Sequence, residues 1–565
     1  MPKIEVHQQL FESLMGKSYT PQELEDILPV AKSELDDYDA QEKLYKLELN
    51  DTNRPDLWSA AGVARQLKSY ESKTIAQYDF FSTAEKEQES GNRAVIVGPQ
   101  AEVVRPYAIG FAVTGKVVDE EILLSLIQSQ EKLCHNFGRK RKTIAIGAYR
   151  SDLITFPVHF DGVDPDTKRF VPLHMEEEMS LREIVARHPK GIEYGPIVAD
   201  KPLYPLLFDD AGEVLSFPPV INSARLGAVE VGDENLYFDF SGTILDDLLL
   251  CAAIFACDCA DLGFTILPSK VYFPQPTAYG AEITVPYYFQ KEASCDVEFL
   301  RQSLGLPLSK EEITDALMRM GIESNVDEKH ITIRVPEYRN DFLHPVDIVE
   351  DVMIGHGLHN FDPLLPKDST IGRLTEAEIF ARKAKDIMVG LGFQEMMYNY
   401  LGSKKEYIDN MSVDGSLYIQ IANPMSENYE YVRPSIIPSL LESESVSAHA
   451  MYPHLIFEIG KVAFLDKEDI SGATTRNYLG FLGASSEMGF NQLNSYLSTL
   501  FYYLNRSYVM EELIDDQRFI AGRCGHLVHN GVNVGVFGEI HPEVLKRWGI
   551  TMPVAACEID LDLLL

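Results

Sequence analysis

The sequence predicts a multidomain α+β chain, and three observations carry that reading. Its 565 residues suggest about three to five domains of roughly 100–200 residues each. Strand-like stretches rich in β-branched and aromatic residues alternate with helix-like stretches along most of the chain. Between residues 285 and 363 a helix, a strand and a second helix follow closely, which suits a small winged-helix-like module. An apolar content of 45% allows ordinary globular cores.

Taken in order, the first 75 or so residues mix short apolar runs with acidic turns such as SELDDYDAQE. Asn53-Arg54-Pro55-Asp56 then forms a turn, because proline fixes its own φ and restrains the residue before it. Asp56 is expected to cap the helix that follows, LWSAAGVARQL. Next come the strand candidates RAVIVG, YAIGFAVTG, KTIAIGAYR, LYPLLFD, VLSFPPVI and NLYFDFSGT. The helix candidate EILLSLIQSQEKLCHNF lies among them, and a buried helix, TILDDLLLCAAIFACDCADLGF, ends at Gly263. In the smaller module, Ser309 and Glu312 have capping-box spacing ahead of a helix whose stripe is Ile313, Leu317 and Met320. That helix stops at Gly321; the strand HITIRVP and a helix from about Pro345 follow. From Asp368 onward a last α+β block is expected, with strands LYIQIA, LIFEIGKVAF, NYLGFLGA, VNVGVFGEI and VAACEIDL.

The formal net charge is −36, from 50 basic and 86 acidic residues. Such a chain repels nucleic acid as a whole, so RNA binding requires a local basic patch or a cationic partner. No stretch of about 18 uncharged apolar residues appears, so no membrane-spanning helix is expected. The start, MPKIEVHQQLFESL, has early acids and no apolar core of a signal peptide, which points to the cytoplasm. The seven cysteines are scattered. Cys257-Asp258-Cys259 fits neither a zinc knuckle nor a redox pair, and its apolar surroundings predict buried thiols.

Three constellations could carry chemistry. Asp347, Glu350 and Asp351 stand at helical spacing, so one helix face holds three carboxylates, with Asp341 in the loop before it. A hard cation such as Mg²⁺ would relieve their repulsion; acids complementing the helix dipole are the equal alternative. Second, the strand Leu236–Gly242 alternates, placing Tyr237, Asp239 and Ser241 on one face. That face lines a pocket or meets water, with Leu215-Ser216-Phe217-Pro218-Pro219 ending another strand nearby. Third, Arg139-Lys140-Arg141-Lys142 is the best candidate for a phosphate contact in so acidic a chain, against a merely solvated run. The final block lacks the arginine positions with which a class II synthetase core holds ATP, so ATP chemistry in this chain is not expected.

Together these segments resemble the phenylalanyl-tRNA synthetase β-chain family, in its shorter archaeal/eukaryotic-like type. NRPDL with AGVARQL is similar to the family's B1-like N-terminal domain (1–80). RPYAIGF, QEKLCHNFGRKRKTIAIGAY, KPLYPLLFDDAGEVLSFPPVIN and FDFSGT resemble its B3/B4-type editing domain (81–275). PEYRNDFLHPVDIVEDV resembles the B5 domain (285–363). NPMSENYEYVRPSIIPSLL, HLIFEIGKVAF and GVFGEIHPEVLKRWGI resemble a catalytically inactive class II core-like domain, B6/B7 (367–565). The resemblance implies Mg²⁺ ligands at Asp341, Asp347, Glu350 and Asp351. It implies an editing pocket in which Asp239 and Ser241 read a tyrosine hydroxyl, with Leu207 and Ser216 lining it. It implies tRNA(Phe) as substrate, with Arg139, Lys140, Arg141 and Lys142 as candidate contacts. It also implies an α-subunit partner in an (αβ)₂ heterotetramer that binds ATP and ligates phenylalanine, while this chain hydrolyses mischarged Tyr-tRNA(Phe). A stand-alone trans-editing or RNA-binding protein is the alternative, disfavoured by the complete core-like C-terminal block.

Overall fold

The computed structural model describes residues 2–51 and 53–565. The chain forms two compact units, one ending at Leu364 and one running from Leu365 to Leu565. The result is a multidomain α+β fold.

The first unit opens with an antiparallel sheet in which Leu44–Leu49 lies between Lys3–His7 and Ser33–Asp39. Helix α1, Ala60–Ser72, follows, and its cap is Ser59, whose side chain accepts from the Gly62 N–H at 2.9 Å. Asp56 is therefore not the cap that the sequence suggested. A 3₁₀ turn over Pro55–Leu57 sets it too far ahead of the first helical residue. Its carboxylate instead takes two bonds from Arg54, from Nε at 2.8 Å and Nη2 at 2.7 Å, with both side chains buried.

The next stretch builds two sheets from strand β1 (Tyr107–Thr114), helix α2 (Glu120–Lys132), and strands β2 (Ile144–Arg150), β3 (Tyr204–Asp209), β4 (Val214–Phe217) and β5 (Leu236–Gly242). One sheet is antiparallel in the order Thr265–Leu267, β1, β5, β2. The other has seven strands and carries β4 beside β3 near one edge. Helix α3, Leu245–Asp261, is buried over most of its length, which explains its nearly unbroken apolar run. Phe255 of α3 packs edge-on against Phe238 of β5 at 4.8 Å. Cys251, Cys257 and Cys259 are free, buried thiols, as the apolar run implied.

The smaller module holds helices α4 (Lys310–Arg319) and α5 (Pro345–His356), with the expected Ser309–Glu312 capping box. It is larger than a helix–strand–helix. Val297–Leu304 is a further helix, and Ala293–Asp296 and Glu323–Val326 flank His330–Arg334 in a three-stranded sheet. Those flanking strands are four residues long and rich in polar side chains, so periodicity could not reveal them.

Helix α1 packs against the helices Gln8–Met15, α3 and α4. Its Arg65 is buried and reaches Asp258 of α3 at 2.6 Å and Asp261 at 2.7 Å, with its guanidinium 4.5 Å from the Tyr338 ring centroid. This pins helix α1 to the end of α3 and to the Tyr338 loop.

The second unit is a seven-stranded sheet in the order Gln394–Glu395, His454–Leu465, Ala473–Ala484, Val554–Asp560, Val532–Ile540, Phe519–His529, Val509–Glu512. Helices Glu376–Gly390 and Phe490–Leu504 contribute to one apolar cluster; Ile437–Val446 and Pro542–Trp548 contribute to another. The segment LYIQIA is not a strand. It makes one isolated bridge, Gln420 to Tyr431, while the Leu417 and Ile419 carbonyls bond the Leu465 and Val432 amides separately. Leu417 is exposed, so its alternation buries no face.

Replacing Arg65 with Ala leaves Asp258 buried without its cation and should destabilise the first unit by about 3–5 kcal/mol. Urea unfolding of the variant measures this, and an unmoved midpoint would contradict it.

Candidate functional site

The polar face of β5 does not meet water. Tyr237, Asp239 and Ser241 are each at most 2% exposed. The neighbouring strands supply the room for their side chains. Asp239 pairs in register with Gly110 of β1 on one side and Gly147 of β2 on the other. A Cβ at Gly147 would lie 2.0 Å from the Tyr149 hydroxyl and 2.2 Å from Asp239 Oδ1. A Cβ at Gly110 would lie 2.2 Å from the Tyr237 hydroxyl. Two glycines thus open the space that one carboxylate and two phenols fill.

Tyr149 of β2 spans this space. Its hydroxyl is 2.5 Å from Asp239 Oδ1 and 2.8 Å from Ser216 Oγ. The second contact links the four-stranded sheet to β4 of the other. Burial raises the Asp239 pKa to about 7, against the opposing pull of the Tyr149 hydrogen bond, the Arg105 charge and the Gly147 N–H. Burial and the nearby carboxylate together push the Tyr149 phenol far above its ordinary value, so it stays a donor. The Tyr237 hydroxyl is buried with no partner among the described residues.

Arg105 is buried beside the site. It binds the Ser241 carbonyl at 2.7 Å and the Ser241 Oγ at 3.2 Å, and reaches the Lys142 and Arg141 carbonyls at 3.2 and 3.4 Å. Burial lowers its pKa to about 10. Neither Tyr149 nor Arg105 was singled out from the sequence. For Tyr149 a signal existed: Ala145, Gly147 and Tyr149 alternate on β2, two small residues and one phenol on one face.

The opening beside Asp239 is small, about 20 Å³, room for one water. Asp239, Ser216, Tyr149, Gly147 and Arg141 line it, together with the Phe217–Asn222 turn. Of the four residues that the resemblance implied, Asp239 and Ser216 face this space. Leu207 and Ser241 do not line it. Leu207 is paired with Ser216 across β3 and β4 and is fully buried, and the Ser241 side chain accepts from Arg105.

The four cations have unequal environments. Arg139, Lys140 and Lys142 are exposed. Arg141 is half-buried, bonds the Pro219 and Val220 carbonyls at 3.3 Å, and stacks 4.4 Å from the Tyr194 ring centroid. Arg139, Lys140 and Arg141 have φ values of 49°, 55° and 65°, a left-handed run costing roughly 1–2 kcal/mol per residue. Bonds from the Lys140 and Arg141 amides to the His135 and Cys134 carbonyls hold it, as does Arg105. The run lines an open cleft of about 1560 Å³ with Lys3, Lys132, His135 and Lys190, and Arg141 borders both this cleft and the small cavity.

The acid cluster behaves differently from the implied Mg²⁺ site. Arg339 is buried and forks onto Asp341 at 2.9 and 2.6 Å, and its Nη1 lies 2.7 Å from Asp351. Burial opposes the charge of Asp341, but the Arg339 and Arg54 guanidiniums hold it well below the usual carboxylate range. Asp347 accepts from the Leu343 and His344 amides at the start of α5, at 2.7 and 2.6 Å. Glu350 binds Lys32 at 3.0 Å. No three acidic, histidine or cysteine residues among those described are grouped to hold a metal ion. The four carboxylates do not fit a shared Mg²⁺, because a guanidinium already supplies the cation between the two that are buried.

Comparison with known proteins fixes the class first. The family model described as the tRNA synthetase B5 domain matches residues 293–358, and that of the phenylalanyl tRNA synthetase beta chain CLM domain matches residues 362–561. The chain is thus built as a tRNA synthetase component. A phenylalanine–tRNA ligase beta subunit of Borrelia turicatae is 45% identical over 566 residues, covering 100% of both chains. That of Borrelia recurrentis is 46% identical over the same span, again covering 100% of both. The crystal structure of an N-terminal fragment of the Pyrococcus horikoshii phenylalanyl-tRNA synthetase beta subunit is 36% identical. It covers 63% of this chain and 100% of its own, with a TM-score of 0.59. The chain belongs to the phenylalanine–tRNA ligase beta subunit family.

Two outcomes follow from the site. An Asp pKa raised in the folded state means that the folded chain holds more protons than the unfolded one between about pH 4 and 7, so stability falls across that window. Asp239→Asn should therefore gain stability over the parent as pH rises through it, by up to about 4 kcal/mol above pH 7; pH-resolved unfolding reads this, and a constant difference would refute it. Thermal unfolding of the chain should also give one midpoint in Mg²⁺ and in EDTA. A midpoint that rises with added Mg²⁺ would show that a metal displaces Arg339.

Proposed function

We propose that this chain is the proofreading and scaffolding half of a phenylalanine–tRNA ligase. With an α subunit, in an (αβ)₂ assembly in the cytoplasm, it serves the ATP-dependent attachment of L-phenylalanine to tRNA(Phe). The α subunit binds ATP and the Mg²⁺ that such a reaction requires. This chain's own chemistry is hydrolysis of Tyr-tRNA(Phe) in the 81–275 domain. The archaeal/eukaryotic-like short type is supported by 36% identity to the archaeal fragment over that fragment's full length. The bacterial relatives have the same short length as this chain. The B1-like, B3/B4-type, B5 and class II core-like layout belongs to the same reading.

One observation carries the proofreading assignment: Asp239, a buried carboxylate beside Ser216, in a cavity between two sheets. A synthetic pocket that accepts phenylalanine rejects an added hydroxyl only about 10²-fold. A second site built to bind that hydroxyl rejects the analogue lacking it far more strongly, because its own polar groups would be left unpaired. Ionised Asp239 and Ser216 are such groups. A positioned water attacks the ester carbonyl, releasing tyrosine and the RNA 3′-hydroxyl. The cationic cleft ending at Arg141 holds the phosphates of the RNA end and directs the tyrosyl side chain towards the cavity.

Asp239→Ala in the αβ complex should lower hydrolysis of Tyr-tRNA(Phe) by at least about tenfold while phenylalanine ligation continues. Unchanged deacylation refutes the site. Co-expression with the α subunit should yield one complex; a β chain that stays free of α and still edits would favour the stand-alone editor.

A further inference from the structure

We infer that Tyr149 is a positioning residue of this site, its phenol fixing Asp239 and Ser216 as the acceptor pair that reads a substrate hydroxyl. The inference rests on the proofreading reading above and adds a residue to it.

A phenol carries one proton, and an ionised carboxylate accepts only. With Asp239 ionised, the Tyr149 proton points at Oδ1, 2.5 Å away. The 2.8 Å contact to Ser216 must then be filled by the serine proton pointing back at the phenol oxygen. Both hydroxyl protons are committed inside the protein. What remains for the cavity is acceptor capacity: the second oxygen of Asp239 and the lone pairs of Ser216. A tyrosyl phenol donates to such a surface. A phenylalanyl ring offers no donor and would leave both acceptors dry. Protonating Asp239 reverses the chain: the acid then donates to Tyr149, Tyr149 to Ser216, and the serine proton turns outward.

No neighbour could substitute. Arg105, which precedes β1, is occupied by Ser241 and by the Arg141 and Lys142 carbonyls, and acts on Asp239 only through space. Tyr237, on the same strand, has no hydrogen-bond partner among the described residues. The Gly147 N–H supports Asp239 from β2, Cys134 at the end of the α2 segment feels its charge without bonding it, and Arg141 borders the cavity while bonding Pro219 and Val220. Tyr149 is the one side chain among the described residues whose hydroxyl contacts both Asp239 and Ser216.

The test is steady-state deacylation of Tyr-tRNA(Phe) and Phe-tRNA(Phe) by the αβ complex as a function of pH, with Tyr149→Phe, Ser216→Ala, the double variant and Asp239→Ala. Tyr149→Phe keeps the ring, and continued phenylalanine ligation reports an intact assembly. The expected result is a KM for Tyr-tRNA(Phe) raised about tenfold, the weight of one hydrogen bond to a charged group, with kcat changed much less. The acid limb of the profile should move to higher pH, because Asp239 loses a bond that favours its ionised form. The double variant should be little worse than the worse single variant, since the two hydroxyls act as one chain. An unchanged or lowered KM, an unmoved acid limb, or simple additivity in the double variant overturns the inference. If Asp239→Ala itself leaves deacylation intact, the proofreading site fails as a whole; if only Asp239→Ala matters, the site stands and the role of Tyr149 falls.

Discussion

Buried guanidinium groups set the terms for this structure. Arg54, Arg105, Arg339 and Arg433 are among its largest fully buried side chains. Taking such a charge out of water is tolerable only with compensation close by. Three of the four have it: Arg54 on Asp56, Arg339 on Asp341 and Asp351, Arg433 on Glu458. Arg105 makes no ion pair among the described residues and is held by carbonyls and one serine. Asp239, the buried carboxylate across Ser241 from it, is held by a phenol. The two opposite charges balance through space and never touch. That separation leaves Asp239 with unused acceptor capacity, which a recognition site requires, and it lets Arg105 brace the left-handed turn that carries the basic run.

The same constraint explains why the acid cluster differs from a metal site. The carboxylates implied as ligands are real neighbours in sequence, but two of them neutralise Arg339, one caps α5 and one meets Lys32. Arg54 and Arg339 lie close enough to disfavour each other's charge. Asp56 and Asp341 therefore serve both. With Arg65 on Asp258 and Asp261, these pairs weld α1 and the turn before it to the α3 segment and to the smaller module.

Much of the fold was legible where one physical signal dominated. The alternation Tyr237, Asp239, Ser241 located β5, the Ser309–Glu312 box located α4, and the unbroken apolar run located α3. Other features depend on distant partners. Asp56 looked like a cap because acids suit helix starts, but Arg54 claims it. LYIQIA has strand composition but makes only one isolated bridge, to Tyr431. The carboxylates at helical spacing left metal and dipole readings open, since spacing cannot show that Arg339 sits between two of them. Tyr149 and Arg105 escaped because their importance lies in register across β2, β5 and β1, which no single strand records.

For function, family membership and site chemistry point the same way. In a chain of net charge −36, the cleft lined by Arg139, Lys140, Arg141 and Lys142 ends at the residue bordering the Asp239 cavity. The central claim is that this cavity reads a phenol. The most direct measurement is a crystal structure of the αβ complex with a non-hydrolysable 3′-tyrosylamino-adenosine. The account predicts the ligand's phenol oxygen within about 3 Å of Asp239, with the adenosine towards Arg141. A tyrosyl group bound elsewhere on the chain, with the Asp239 cavity unchanged, would contradict it.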